Sequence, residues 1–268
     1  MSMTKTLINQ TVMPTIGFGT WRLEDVKETE DIIVEALKQG YRHFDTATYY
    51  QNEKRLGNAI KKVGIERQAL YITSKVPSSV KDPKETLKVF EQSLKDLKTD
   101  YLDLYLIHGP APKDQRHESH KFNAGNVLVW QTLEKLYLDG KVRAIGVSNF
   151  SLADLANIRT DAKIMPMVHQ IPFYAGLPQR ALREDAKMTK MLIQAYSPLA
   201  KGTLVDHPMV LDLAKKYHKT PAQVLIQYCL AMGTVPLPKT KTTHRMQENL
   251  ASHFSMSQED IEQLTHLA

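Results

Sequence analysis

Along the chain, short runs of β-branched and aromatic residues alternate with longer stretches in which apolar residues return every three or four positions. Eight runs read as strands: "TIGFGTW" from Thr15, "YRHFDTA" from Tyr41, "ALYITSKV" from Ala69, "YLDLYLIHG" from Tyr101, "VRAIGVSNF" from Val142, "MPMVHQIPF" from Met165, "MLIQAYSPL" from Met191 and "GTVPLPK" from Gly233. The intervening stretches carry helix punctuation. Asp82 stands where a side chain can cap a first turn, Pro83 where its missing N–H costs nothing, and Glu85 where it can bond back to the cap. Thr220, Pro221 and Gln223 repeat the arrangement, and Ser151 with Asp154 and Ser257 with Asp260 share its spacing. Leu87, Phe90, Leu94 and Leu97 form one apolar stripe, and Trp130, Leu133, Leu136 and Tyr137 form another.

Strand–helix alternation with no break in composition implies parallel strands joined by right-handed crossovers, either closed or open. The number of repeats favours the closed form, a single-domain α/β chain over residues 1–268 folded as a (β/α)8 TIM barrel. The leading segment "TLINQTVMPTIG" has no helix before the first strand and is expected to form a hairpin across the barrel floor.

Composition adds bounds. Hydrophobic residues at 42% and charged residues at 24% are those of a chain with a sizeable core. The net charge of +6 favours anionic partners, yet bases and acids are interleaved, as in "EQSLKDLKTD". A solvated basic surface or a small phosphorylated ligand fits that pattern better than nucleic acid. Cys229, the single cysteine, lies in the helical "VLIQYCLAM" as a core residue and permits no intrachain disulfide. The start "MSMTKTLINQTVMP" lacks a signal-peptide apolar stretch, and no run approaches the ~20 residues needed to span a bilayer, so a cytoplasmic protein is expected.

The residues with chemical potential fall at the carboxyl ends of the strand candidates: Trp21, Asp45, Lys75, His108, Ser148 with Asn149, Gln170, Tyr196 and Lys239. In a parallel barrel those ends form one rim, where active sites sit. "DTATYYQNEKRLG" is the densest stretch, with a carboxylate, a phenol and an Asn–Glu pair between Asp45 and Glu53. His43 and Asp45, two apart on a strand, share a face and could ligate a metal, but no further ligand cluster supports one and none is expected. "GFGTW" continues with Arg22 and Leu23 where a dinucleotide fingerprint needs a third glycine, so its glycines read as places of close backbone approach.

These motifs together resemble the aldo-keto reductase family over nearly the whole chain: "GFGTW" at Gly17, "DTATYYQNEKRLG" at Asp45, "ITSK" ending at Lys75, "LIHGP" around His108, "IGVSNF" ending at Phe150 and "LPKTKTTHRMQEN" from Leu237. The resemblance implies NADPH-dependent reduction of a small carbonyl substrate by a monomer, without metal, nucleic acid or membrane. It places a catalytic tetrad on Asp45, Tyr50, Lys75 and His108. Tyr50 is the matching tyrosine because it precedes x-N-E, here Gln51, Asn52 and Glu53. The resemblance implies that Ser148, Asn149 and Gln170 hold the nicotinamide amide and that Tyr196 stacks on its ring, with Ser197 and Leu199 also meeting the cofactor. Lys239, Thr240 and Arg245 would meet the 2′-phosphate and its ribose, and Glu248 and Asn249 the adenine. Trp21, Tyr49 and Gly109 would line the substrate pocket. Gly109 stands where the family often has tryptophan, His169 where it often has asparagine, and Pro172 where it is often acidic. With the chain ending at Ala268, an open pocket of broad specificity is expected.

The chemistry expected of the residues agrees. Hydride delivery to a carbonyl leaves charge on oxygen, so a proton donor must stand within about 3 Å. A free tyrosine titrates near pH ~10, and lowering it by two units needs only ~2.7 kcal/mol, less than the roughly 4 kcal/mol a cation at ~4 Å supplies at an effective dielectric of ~20. Lys75 is expected to lower the Tyr50 phenol in this way, held in place and charged by Asp45. Two other readings stay open: a Schiff-base aldolase built on Lys75 or Lys239, and a non-catalytic binding barrel.

Overall fold

The computed structural model describes residues 3–267. An antiparallel hairpin, β1 (Thr4–Thr6) and β2 (Val12–Pro14), precedes eight parallel strands: β3 (Phe18–Gly19), β4 (His43–Asp45), β5 (Tyr71–Val76), β6 (Leu104–Ile107), β7 (Ile145–Ser148), β8 (Val168–Pro172), β9 (Leu192–Tyr196) and β10 (Val235–Leu237). All eight coincide with the runs read from the sequence. Each strand pairs in parallel with the next, from Gly19 beside Asp45 through Ser148 beside Gln170 to Leu237 beside Tyr196. The ring is sealed by backbone bonds of 3.0 Å from Gly17 to Pro236 and from Gly19 to Pro238. A Cβ on Gly19 would stand 3.0 Å from the Leu237 carbonyl, so the "GFG" glycines let the first strand approach the last.

Between and after the strands run α1 (Lys27–Lys38), α2 (Glu53–Val63), α3 (Pro83–Leu97), α4 (Asn123–Leu138), α5 (Leu152–Asp161), α6 (Arg180–Thr189), α7 (Pro208–Tyr217), α8 (Pro221–Ala231), α9 (Thr243–Leu250) and α10 (Gln258–Thr265). Thr220 and Ser151 form two-way capping boxes with Gln223 and Asp154. At α3 the cap runs one way: Asp82 accepts from the Glu85 amide, and the expected return bond is not formed. Phe90 and Leu97 of the α3 stripe are buried, with Leu87 and Leu94 packed at the edge of the same core. Cys229 is buried, in a second apolar cluster that joins α7, α8 and α10 to the strands.

The hairpin lies at the amino ends of the strands, as expected of a barrel floor. Met13 is fully buried, with its sulfur 3.5 Å from Gln194 Nε2, and the Pro14 carbonyl lies 3.1 Å from His43 Nδ1. At the opposite end, Asp45, Ser148 and Tyr196 terminate their strands.

Candidate active site

Lys75 on β5 is fully buried inside the barrel, an environment that penalises an isolated ammonium by several kcal/mol. Its Nζ donates to both Asp45 carboxylate oxygens at 2.8 Å and to the Thr46 carbonyl at 2.8 Å, and lies 3.5 Å from the Tyr50 hydroxyl. Burial lowers the lysine's pKa while Asp45 pulls it back up. Tyr50 reaches this centre because the chain after β4 makes a 3-10 turn, Thr48–Tyr50, ended by Gln51 at φ 57°. Thr48 Oγ1 ties that turn to the Lys75 carbonyl at 3.2 Å.

The Asn–Glu pair proves to be scaffolding. Asn52, fully buried, donates to the carbonyls of Thr20 and Leu23 and accepts from Thr46 Oγ1, which joins the loops after β3 and β4. Glu53 accepts from Ser74 Oγ at 2.6 Å and Ser93 Oγ at 3.0 Å, which fixes the start of α2 against β5 and α3. Burial pushes its carboxyl up to about 7 despite those hydroxyls.

His108 ends β6, its ring edge-on to Tyr50 at 5.5 Å and to the exposed Tyr49 at 6.2 Å. Burial, with Lys75 and Arg116 adding to it, lowers the imidazole to about 3, so the ring is neutral at physiological pH and can donate from one nitrogen. Asn149 adopts φ 60°, and in that left-handed conformation its Nδ2 donates to the His108 carbonyl and to Ser148 Oγ, both at 2.9 Å, while its Oδ1 accepts from the Tyr196 hydroxyl at 2.8 Å. Gln170 Nε2 donates to Asp45 at 2.6 Å and to Gln194 at 2.9 Å, and Gln194 lies 3.3 Å from His43. A continuous polar column thus runs down the barrel from Lys75 to His43, whose imidazole burial lowers to about 4.

One group differs from the direction expected of it. The Tyr50 phenol is pushed well above its ordinary value, first by burial, then by Asp45 and Tyr196. The leading cause is burial, which disfavours the charged phenolate, and the negative charge of Asp45 beside it acts in the same direction.

A second polar group follows β10. Lys239 is exposed, and its pKa is lowered by partial burial and by the like charges of Lys241 and Arg22. Thr240 Oγ1 accepts from the Thr242 amide, and α9 opens with no side-chain cap and no acid in its first turn, which carries exposed Arg245. Crowded cations beside an uncapped helix start suit an anion such as phosphate. Glu248 faces His244 at 3.4 Å, and buried Asn249 hydrogen-bonds the Tyr41 phenol. Ser197 has φ 53°, and Leu199 packs at the edge of the barrel core. Trp21 is 39% exposed beneath the Arg22 guanidinium, 4.4 Å away. Gly109 is buried beside the loop that carries Arg116.

The structure therefore joins Asp45, Tyr49, Tyr50, Lys75, His108, Ser148, Asn149, Gln170 and Tyr196 in one network of bonds and ring contacts. Lys239, Thr240, Arg245, Glu248 and Asn249 lie apart from it on the β10–α9 segment. Sequence reasoning missed Arg22, Lys241, Gln194 and Arg116. The "KTK" spacing carried a signal for Lys241, while Gln194 and Arg116 act through partners distant in the chain. Among the described residues, no group of three or more His, Cys, Asp or Glu side chains could hold a metal ion.

The chain is thus a parallel eight-stranded barrel with a lysine–carboxylate pair beneath a tyrosine and a histidine at one rim. The model of the aldo/keto reductase family matches residues 15–268, and the chain belongs to that family. It is 41% identical to the glyoxal reductase of Bacillus subtilis over 97% of this chain and 91% of that protein. It is 40% identical to the 9,11-endoperoxide prostaglandin H2 reductase of Trypanosoma cruzi over 98% of this chain and 90% of that one. The crystal structure of an aldo/keto reductase from Brucella melitensis superposes with a TM-score of 0.88 at 35% identity, covering 98% of both chains.

Proposed function

We propose that this chain reduces small aldehydes and ketones to alcohols with NADPH, with Tyr50 as proton donor assisted by Lys75, Asp45 and His108. One observation carries the reading: Lys75 Nζ, clamped by both oxygens of Asp45, stands 3.5 Å from the Tyr50 hydroxyl at the open end of the barrel. A nicotinamide cofactor, when bound, supplies the hydride. Ser148, Asn149, Gln170 and Tyr196 would hold its amide and ring, and Lys239, Thr240 and Arg245 its extra phosphate.

Neutral His108 donates a hydrogen bond to the substrate carbonyl oxygen and orients it toward Tyr50. The raised phenol keeps its proton at rest, as a general acid must, and releases it only to the more basic alkoxide. Lys75 then faces a phenolate, and its ammonium stabilises the charge left behind. With its donors engaged by Asp45 and Thr46, Lys75 is poorly placed for Schiff-base chemistry. The glyoxal reductase relative supports small reactive aldehydes as substrates.

The decisive experiment is Tyr50→Phe, assayed by carbonyl-dependent NADPH oxidation alongside fluorescence titration of the cofactor. The expected result is a fall in kcat of about 10²–10⁴-fold with the cofactor still bound, the usual range for a lost general acid. Unchanged turnover would remove Tyr50 from the reaction.

A further inference from the structure

The loop after His108 carries a cation that the tetrad does not use. Its root is fixed: Lys81 Nζ reaches the Gly109 carbonyl at 3.5 Å and Asn126 Oδ1 at 2.5 Å, and fully buried Asn126 donates to the Pro110 carbonyl at 2.9 Å. From that root the chain turns into the 3-10 segment Lys113–Phe122, with the Gln115 amide bonded back to the Pro112 carbonyl at 2.9 Å. Arg116 lies on this segment. A Cβ on Gly109 would stand 3.6 Å from its guanidinium nitrogen, an ordinary contact distance, so the guanidinium lies beside the residue that follows His108. Its charge also reaches both walls of the mouth, disfavouring protonation of His108 at the end of β6 and favouring ionisation of Tyr196 at the end of β9. Among the described residues, no carboxylate forms an ion pair with Arg116, while on the same segment Glu118 is taken by Lys121 at 2.7 Å.

A guanidinium at the mouth without a carboxylate partner presents a planar fork of donors suited to carboxylate or phosphate oxygens. We infer that Arg116 is a specificity residue that binds an anionic group on the substrate, so that the preferred substrates are aldehydes and ketones carrying a carboxylate or phosphate a few atoms from the carbonyl. The inference deepens the carbonyl-reductase reading and rests on it for turnover.

The test compares matched pairs that differ in the anionic group: para-formylbenzoate against its neutral methyl ester, and glyceraldehyde phosphate against glyceraldehyde. In the native enzyme at low ionic strength, kcat/KM should favour the anionic member of at least one pair by about fivefold, the worth of a partly exposed ion pair. The pair that responds distinguishes carboxylate from phosphate. Arg116→Gln should abolish the preference, and Arg116→Lys should restore part of it, which a merely structural role would not produce. Calorimetric titration of benzoate and inorganic phosphate into native protein and Arg116→Gln, each saturated with NADP+ so that the Lys239 and Arg245 cluster is occupied, reads the anion site without turnover. An anion preference of unchanged size in Arg116→Gln, or equal anion binding by both proteins, overturns the inference. Failure to reduce any aldehyde overturns the carbonyl-reductase reading, and the titration still decides Arg116.

Discussion

Two groups of cations, one inside the barrel and one at its edge, are stabilised in opposite ways. Lys75 has no solvent exposure, and each donor that would meet water meets an oxygen of Asp45 or Thr46. Lys239, Lys241 and Arg22 crowd one another at the surface, where, among the described residues, only Glu28 pairs with Lys241, at 3.6 Å. Burial forces the first charge to be balanced within the chain, because an unpaired ammonium in a dry interior is prohibitive. Water screens the second group, so its charges can remain unbalanced until an anion binds. On the proposed reading, the balanced centre holds atoms in position and the unbalanced one attracts a ligand.

The largest effect that could break this contrast comes from Asp45→Asn. It keeps the shape of the side chain but leaves the Lys75 ammonium without a counter-charge. Breaking a buried pair on one side costs about 3–5 kcal/mol, whereas exposed substitutions usually stay within about 0.5 kcal/mol. Urea unfolding of Asp45→Asn and Lys239→Ala should therefore differ by several kcal/mol. Equal stabilities would mean that the interior pair is no more dependent on its partner than the surface cluster.

A smaller effect comes from Glu53, buried beside the same pair but holding neutral donors, Ser74 and Ser93, instead of a cation. Its carboxyl rises from 4.5 to about 7, so between those values the folded chain binds more protons than the unfolded chain. The stabilisation is complete below about pH 4.5 and is lost as pH rises through 7. His43 and His169, each lowered from 6.5 to about 4 with burial the leading cause, act in the opposite sense and cost stability as pH falls from 6.5. Glu53→Gln should leave the histidine limb in place and flatten the other. Relative to native protein, the variant should gain roughly 2 kcal/mol between pH 5 and pH 7.5, read from denaturation midpoints across that range. A constant difference would show that Glu53 is ionised throughout.

Much of this architecture was legible in the sequence because the signals are local. β6, "LYLI", is buried at every position, as a barrel strand covered on both faces must be, and its apolar run stands out without any knowledge of its neighbours. The polar residues that end such strands were equally visible, and topology alone brings Asp45, Lys75 and His108 to one rim. What the sequence hid depends on partners far apart in the chain. The Gln194–His43 contact spans 151 positions, and the charge of Arg116 bears on Tyr196, which stands on a different strand. The direction of the Tyr50 phenol was hidden for a related reason: the cation below it was visible, but the burial that raises the phenol is set by the fold.

The smallest effect tests the surface cluster itself. Arg245 is exposed on the first turn of α9, beside the crowded lysines and an amide terminus with no side-chain cap. If those charges await the cofactor's extra phosphate, Arg245→Ala should weaken NADPH binding about tenfold, equivalent to about 1.4 kcal/mol, and leave NADH binding nearly unchanged. Because the site is open to solvent, added salt should shrink the difference between the two cofactors, and shrink it less in the variant, which has one charge fewer to screen. Fluorescence titration of both cofactors across a range of salt concentrations measures all of this. Equal losses for NADPH and NADH would place Arg245 against a part common to both molecules and would undo the phosphate assignment. Turnover in the barrel would be untouched by that outcome, since Lys75 and Tyr50 are set by Asp45 and not by the charge at the edge.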